Sequence, residues 1–237
     1  MKQLFFTAVF FAIFSMVRGQ GPQTIHTRQN SEGNPVTVSF LKGQAHNHPL
    51  MAIWLEDSAG NYIETLYVAQ SIATSQYPYG EVQQGKWQKG VNRRPAALPY
   101  WAHKRGVMAK DSLYLPHPDN PMPDAVTGAT PKGDFTLHST LPKNIDTPFY
   151  VMLEINQPWD WNDYWTNNKY PDDEDYKTSS QPAIIYQATI RSTSAGAATM
   201  KLKGRSHHSG ANGKLYNDLH TLTTAKEIVK EAKVTLP

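Results

Sequence analysis

Apolar and polar residues alternate or cluster in short runs along most of the chain. In residues 36–40 (VTVSF), Val36, Val38 and Phe40 fall on one face, the period-two pattern of a half-buried strand. Residues 50–56 (LMAIWLE) form an apolar run and residues 57–61 (DSAGN) bring turn formers. Residues 62–68 (YIETLYV) then read as the return strand of a hairpin. Further strands are expected at 134–138, 149–155, 183–191 and 199–203. Helical pattern is thin. Residues 95–104 (PAALPYWAHK) suit a proline-broken turn or a short helix. Residues 224–232 (TAKEIVKEA) predict a short C-terminal helix, with Thr224 and Glu227 in capping-box positions. Residues 233–236 then close the sheet as a last strand.

Short strands separated by turn signals predict an all-β, antiparallel β-sandwich instead of alternating β-α units. The expected organisation is an N-terminal extension at 20–35 and one sandwich domain at 36–237, with long loop insertions at about 70–123 and 156–181. The first insertion is rich in Gln, Pro, Tyr and Gly. The second holds Trp159, Trp161, Trp165 and the acidic run at 172–175. Loops of this length inside a domain are functional or disordered, and their aromatics argue for order.

The first residues, MKQLFFTAVFFAIFSMVRGQ, have a lysine, an unbroken apolar stretch and small residues ahead of Gln20. This is the layout of a secretory signal peptide over 1–19, and its apolar stretch is too short to span a bilayer comfortably. A periplasmic or secreted protein with no membrane span after signal cleavage is therefore expected. Removing Lys2 and Arg18 leaves 21 basic against 20 acidic residues, so the whole-chain net charge of +3 falls to +1. No nucleic-acid partner is implied by that balance. The absence of cysteine rules out disulfides, thiolate metal sites and a cysteine nucleophile, so stability must come from packing.

Catalytic signatures are missing: the chain has neither a G-x-S-x-G elbow nor a G-x-x-x-x-G-K-[ST] phosphate loop, and it is read as a non-enzyme. His46 and His48 would share a face of an extended segment and suit copper, nickel or zinc. No spacing ties them to a third ligand at His103, His117, His207 or His208, so no metal site is assigned. The acidic run at 172–175 lacks the alternating ligands and glycine of a calcium loop and reads as a solvated loop.

Three blocks belong together: AIWLEDSAGNYIETLYV (52–68), DAVTGATPKGDFTLH (124–138) and TTAKEIV (223–229). With them the chain resembles a family of predicted periplasmic bacterial proteins, catalogued as a domain of unknown function. That family is similar in outline to the immunoglobulin-like modules of flagellar hook-capping proteins. The resemblance implies an immunoglobulin-like sandwich and a setting near PepSY-type membrane proteins and flavin transferases of extracytoplasmic electron transfer. Separately, Asp124, Thr127, Gly128, Ala129 and Thr130 are similar to the acceptor motif of bacterial flavin transferases: Asp, two free positions, Ser or Thr, then Gly-Ala-Thr. That similarity implies FMN in phosphoester linkage on Thr130, with a flavin transferase and a membrane redox protein as partners.

Two readings of this stretch compete. As an acceptor, Gly128 and Ala129 keep side-chain bulk low so that the backbone can enter a transferase and present the Thr130 hydroxyl, which needs an external base to react. As a turn, Asp124 would bond nearby backbone, Gly128 would take positive φ, and Pro131 would stiffen the exit. The remaining candidate is the stretch WDWNDYW at 159–165, whose Trp159, Trp161 and Trp165 would form a sugar-binding platform or a flavin-stacking wall. The two functions expected are thus an exported carrier or accessory protein of flavin-linked electron transfer and a non-catalytic module binding a glycan, peptide or protein.

Overall fold

The computed structural model describes residues 21–237; the signal peptide expected at 1–19 lies outside them. In chain order the strands begin with β1 (Gln23–His26), β2 (Pro35–Lys42), β3 (Leu50–Glu56) and β4 (Tyr62–Ala69). Next come β5 (Gln76–Gln83), β6 (Lys86–Val91), β7 (Thr127–Gly128), β8 (Phe135–Thr140) and β9 (Phe149–Asn156). The last are β10 (Ile184–Ile190), β11 (Gly196–Thr199), β12 (Lys201–Arg205) and β13 (Val229–Leu236). Three short helices join them: α1 (Gln70–Thr74), α2 (Pro99–Arg105) and α3 (Glu174–Ser179).

One sheet has the order β1-β8-β2-β13-β11 and the other β12-β10-β9-β3-β4-β7, while β5 and β6 pair apart as a hairpin. Most neighbours are antiparallel, but β1 with β8 and β4 with β7 run parallel. The two sheets share one core. Val36, Val38 and Phe40 of β2 face Met51, Ile53, Leu55, Val151, Leu153 and Ile155 across it, so the alternation in 36–40 marks the buried face correctly. Burial of each such side chain contributes about 1.5–3 kcal/mol, which is how a chain without disulfides holds its sandwich.

The run LMAIWLE is buried on both faces for a reason the topology supplies. Met51, Ile53 and Leu55 fill the sandwich, while Leu50, Ala52 and Trp54 meet a second core beneath the 70–123 insertion. That insertion is ordered: α1, the β5–β6 hairpin and α2 lie in it, and Tyr77, Leu98 and Trp101 seal it to the sheet. Glu154, which is fully buried, accepts from the Tyr100 and Trp101 backbone N–H groups at 3.1 and 2.7 Å. It thereby caps a helix whose own N-cap, Leu98, provides no side-chain acceptor.

Several expectations are corrected. The short C-terminal helix is a single 3-10 turn, Thr224–Glu227, after which the chain runs as β13. Thr224 gives its hydroxyl to Asp160 at 2.6 Å and accepts from Gln181 at 2.6 Å, so no capping box forms. Pairing with β2 then buries Val229, Ala232, Val234 and Leu236, and this burial outweighs the weak helical pattern. Within the expected N-terminal extension, Gln23–His26 form β1, which joins the sheet beside β8. The strand expected at 199–203 is two strands. Met200 is buried where the chain passes from β11, paired with β13, to β12, paired with β10.

Candidate functional site

Residues 124–130 hold one turn followed by a short edge strand. Asp124–Val126 make one 3-10 turn, held by Arg28 N–H donating to the Ala125 carbonyl at 2.9 Å. Thr127 and Gly128 follow as β7, an edge strand paired with Val68 and Ala69. Gly128 is extended and not at positive φ, and the Asp124 carboxylate has no hydrogen-bond partner among the described residues, so both local features of the turn reading are absent. Thr127 Oγ1 reaches the Asp124 carbonyl only at 3.5 Å.

Tyr67 locks this edge. A bulge in β4, where Leu66 is the extra residue opposite Ile53 and Trp54, turns both Leu66 and Tyr67 into the sandwich core. There the Tyr67 ring lies 6.5 Å from that of Phe135, which in turn stacks on Phe40 at 4.8 Å. The Tyr67 hydroxyl emerges to donate to the Ala129 carbonyl at 2.9 Å. A Cβ on Gly128 would stand 3.0 Å from the Tyr67 ring, so the glycine has a packing reason.

Beyond this lock, Ala129 and Thr130 line an open cavity of about 540 Å³ with Gln70, Ser71, Thr74, Gln76, Pro78 and Lys89. This volume falls within the roughly 300–1,000 Å³ typical of small-molecule sites. Thr130 is half-buried, and its hydroxyl has no hydrogen-bond partner among the described residues. Buried Pro131 follows it and restricts Thr130 to extended backbone. Lys89 is the one cation of the lining and has no carboxylate partner among the described residues. Sequence reasoning missed Lys89 because it missed the β5–β6 hairpin. Its signal was Gln84-Gly85, two positive-φ residues between paired strands, as a type I′ turn demands.

The three tryptophans do not form a common platform. Trp165 is 2 % exposed and donates to Thr221 Oγ1 at 3.2 Å, with the Arg205 guanidinium 5.2 Å from its ring. Trp161 is half-buried and meets Tyr176 edge-on at 6.0 Å, leaving Trp159 as the exposed one. The acidic run is a helix start, with Asp173 accepting from the Tyr176 N–H at 3.0 Å to cap α3. His208 stacks on Tyr170 at 4.2 Å, and burial, then His207, push its imidazole down to about 4. These groups cluster with Arg205 at the β12 edge of the six-stranded sheet, whereas β7 is its opposite edge. The aromatic loop therefore gives no wall to Thr130.

His46 and His48 also part company. They sit on an irregular segment, with His46 against Phe40 at 5.8 Å and His48 exposed at positive φ. Among the described residues no group of three or more His, Cys, Asp and Glu side chains is placed to hold a metal ion. No helix among them is long and apolar enough to cross a membrane. Comparison with protein-family models, with curated proteins and with solved structures returns no match to this chain.

Proposed function

We propose that this protein is an exported carrier or accessory protein of flavin-linked electron transfer, with FMN carried covalently on Thr130. The observation that carries the reading is that Thr130 and Lys89 line one cavity, the hydroxyl without a hydrogen-bond partner and the ammonium without a carboxylate partner among the described residues. Attachment balances as a transfer from a flavin dinucleotide. The Thr130 oxygen bonds to the FMN phosphorus, the phosphoanhydride bond to AMP breaks, and the threonine proton passes to a base on the flavin transferase. The product is a phosphodiester with one negative charge, and Lys89, which lines the same cavity, would offset it. Electron transfer is then supplied by the flavin, consistent with a chain that has no catalytic motif of its own. The setting is extracytoplasmic, with a membrane redox protein as electron partner. Peptide mass mapping after co-production with a flavin transferase tests this: the FMN adduct is expected on the peptide bearing Thr130, and an unmodified peptide beside a labelled control acceptor contradicts it.

A second reading rests on a different surface. Exposed Tyr164 lines an open cavity of about 450 Å³ with Asn162, Asp163, His220, Thr221 and Thr223, a polar and aromatic lining suited to a glycan or peptide. Ligand-dependent change in tryptophan emission, lost in Tyr164→Ala, would favour it.

A further inference from the structure

The β5–β6 hairpin stands beside the Thr130 cavity and shows an unusual outward face. Strand pairing puts Val82 directly opposite Trp87, and Gln76 opposite Val91. Trp87, Lys89 and Val91 alternate on one face of β6, so this face carries Val82, Trp87, Lys89 and Val91 together with Gln76 and Pro78. Tyr77 points the other way and is 7 % exposed, pinning the hairpin base to the second core with the Arg94 guanidinium 4.3 Å over its ring. The outward face is therefore fixed in direction, and it is wet: Trp87 is 65 % exposed, Val82 55 % and Val91 52 %. An indole and two valines left in water beside a lone ammonium are a poor solution for solubility alone.

That face is continuous with the cavity. Gln76, Pro78 and Lys89 belong to both, and Trp87 is the next same-face residue after Lys89, about 6.7 Å along the strand. From Thr130 outward, the chain thus presents a hydroxyl, then a cation, then a flat aromatic surface backed by Val82. A flavin nucleotide has the same order: phosphate, polar ribityl chain, planar isoalloxazine. We infer that the β5–β6 hairpin is the seat for this flavin, with Lys89 against the phosphate and Trp87 stacked on the isoalloxazine ring. The inference takes the identity of its occupant from the flavin-carrier reading, but a seat of this kind also binds the free nucleotide without the covalent bond.

This independence gives the test. Unmodified full-length protein is titrated into free FMN and, separately, into riboflavin, which lacks the phosphate, while flavin emission is followed; covalent loading is read in parallel on a denaturing gel after co-production with a flavin transferase. FMN emission is expected to be quenched on binding. Trp87→Ala should weaken binding about tenfold and relieve the quenching, as loss of one stacked aromatic contact requires. Lys89→Met should weaken FMN about fivefold, the scale of an exposed ion pair, and leave riboflavin unchanged. Thr130→Ala should abolish loading but not free binding. Absence of quenching in the wild-type titration overturns the seat, as does equal binding by wild type, Trp87→Ala and Lys89→Met, whether or not Thr130 is loaded. Lys89-dependent FMN binding with no loading of Thr130 supports the seat and overturns the covalent bond alone.

Discussion

The Tyr67 hydroxyl donates to the Ala129 carbonyl at 2.9 Å, tying the segment that presents Thr130 to an aromatic ring whose other end is buried in the sandwich core. The candidate site is thus held by the fold and does not hang from it. In Tyr67→Phe the ring packing survives while the Ala129 carbonyl loses its donor. A stability loss of about 1 kcal/mol is expected, read as a lower denaturant midpoint with an unchanged slope, together with faster amide exchange at residues 129 and 130.

Gly128→Ala tests the same lock from the other side. Its new Cβ would lie 3.0 Å from the Tyr67 ring, and that ring is confined by Phe135 and cannot easily give way. The expected loss is about 1–3 kcal/mol, seen as a lower thermal midpoint. It should persist in the Tyr67→Phe background, because the ring and not the hydroxyl makes the conflict; recovery there would contradict the packing explanation.

Glu154 makes stability depend on pH. Burial pushes its carboxyl up to about 8, with the Trp101 and Tyr100 N–H groups opposing the shift, whereas its ordinary value is 4.5. Between those limits the unfolded chain has released a proton that the folded chain retains. The contribution is therefore fully present below about pH 4.5 and is lost as pH rises towards 8, with a slope of at most about 1.4 kcal/mol per pH unit. Glu154→Gln should flatten that slope. The same variant weakens the cap on α2, lowering stability by about 1 kcal/mol at acidic pH, and this deficit shrinks or reverses as pH rises towards 8 and wild-type Glu154 gives up its proton. Denaturant titrations at several pH values between 6.5 and 8 check both effects.

His208 acts in the opposite direction. Its imidazole is held near 4 against an ordinary 6.5, so the unfolded chain binds a proton that the folded chain refuses. Stability from this group is present above about pH 6.5 and is lost as pH falls towards 4. In the overlap between 4.5 and 6.5 the two residues oppose each other, so Glu154 is best read above 6.5. An imidazole titration by NMR should give a His208 midpoint well below the ordinary 6.5, and a midpoint at that value would contradict the packing against Tyr170 and His207.

The sandwich was legible where one face of a strand meets water. Residues 36–40 alternate because β2 has one buried face, and DSAGN between two β-rich runs marked the β3–β4 hairpin. The double burial of β3 was not, since an apolar run does not say what covers its second face. Residues 224–232 misled because Thr224 and Glu227 satisfy a helix-start pattern locally, while their partners Asp160, Gln181 and Gln44 come from distant segments. At the candidate site the sequence offers Thr130 only as part of a motif, and three things depend on pairings that no spacing encodes. These are the Tyr67 lock created by the β4 bulge, the neighbouring Lys89, and the separation of Thr130 from the aromatic loop.

The most direct measurement is made on the full-length exported protein, co-produced with a bacterial flavin transferase, denatured, run on a gel and imaged for flavin fluorescence beside Thr130→Ala. Fluorescence that survives denaturation in the wild type and is absent from the variant is the predicted result. Two dark lanes, with a known acceptor labelled in parallel, would contradict covalent flavin carriage on Thr130.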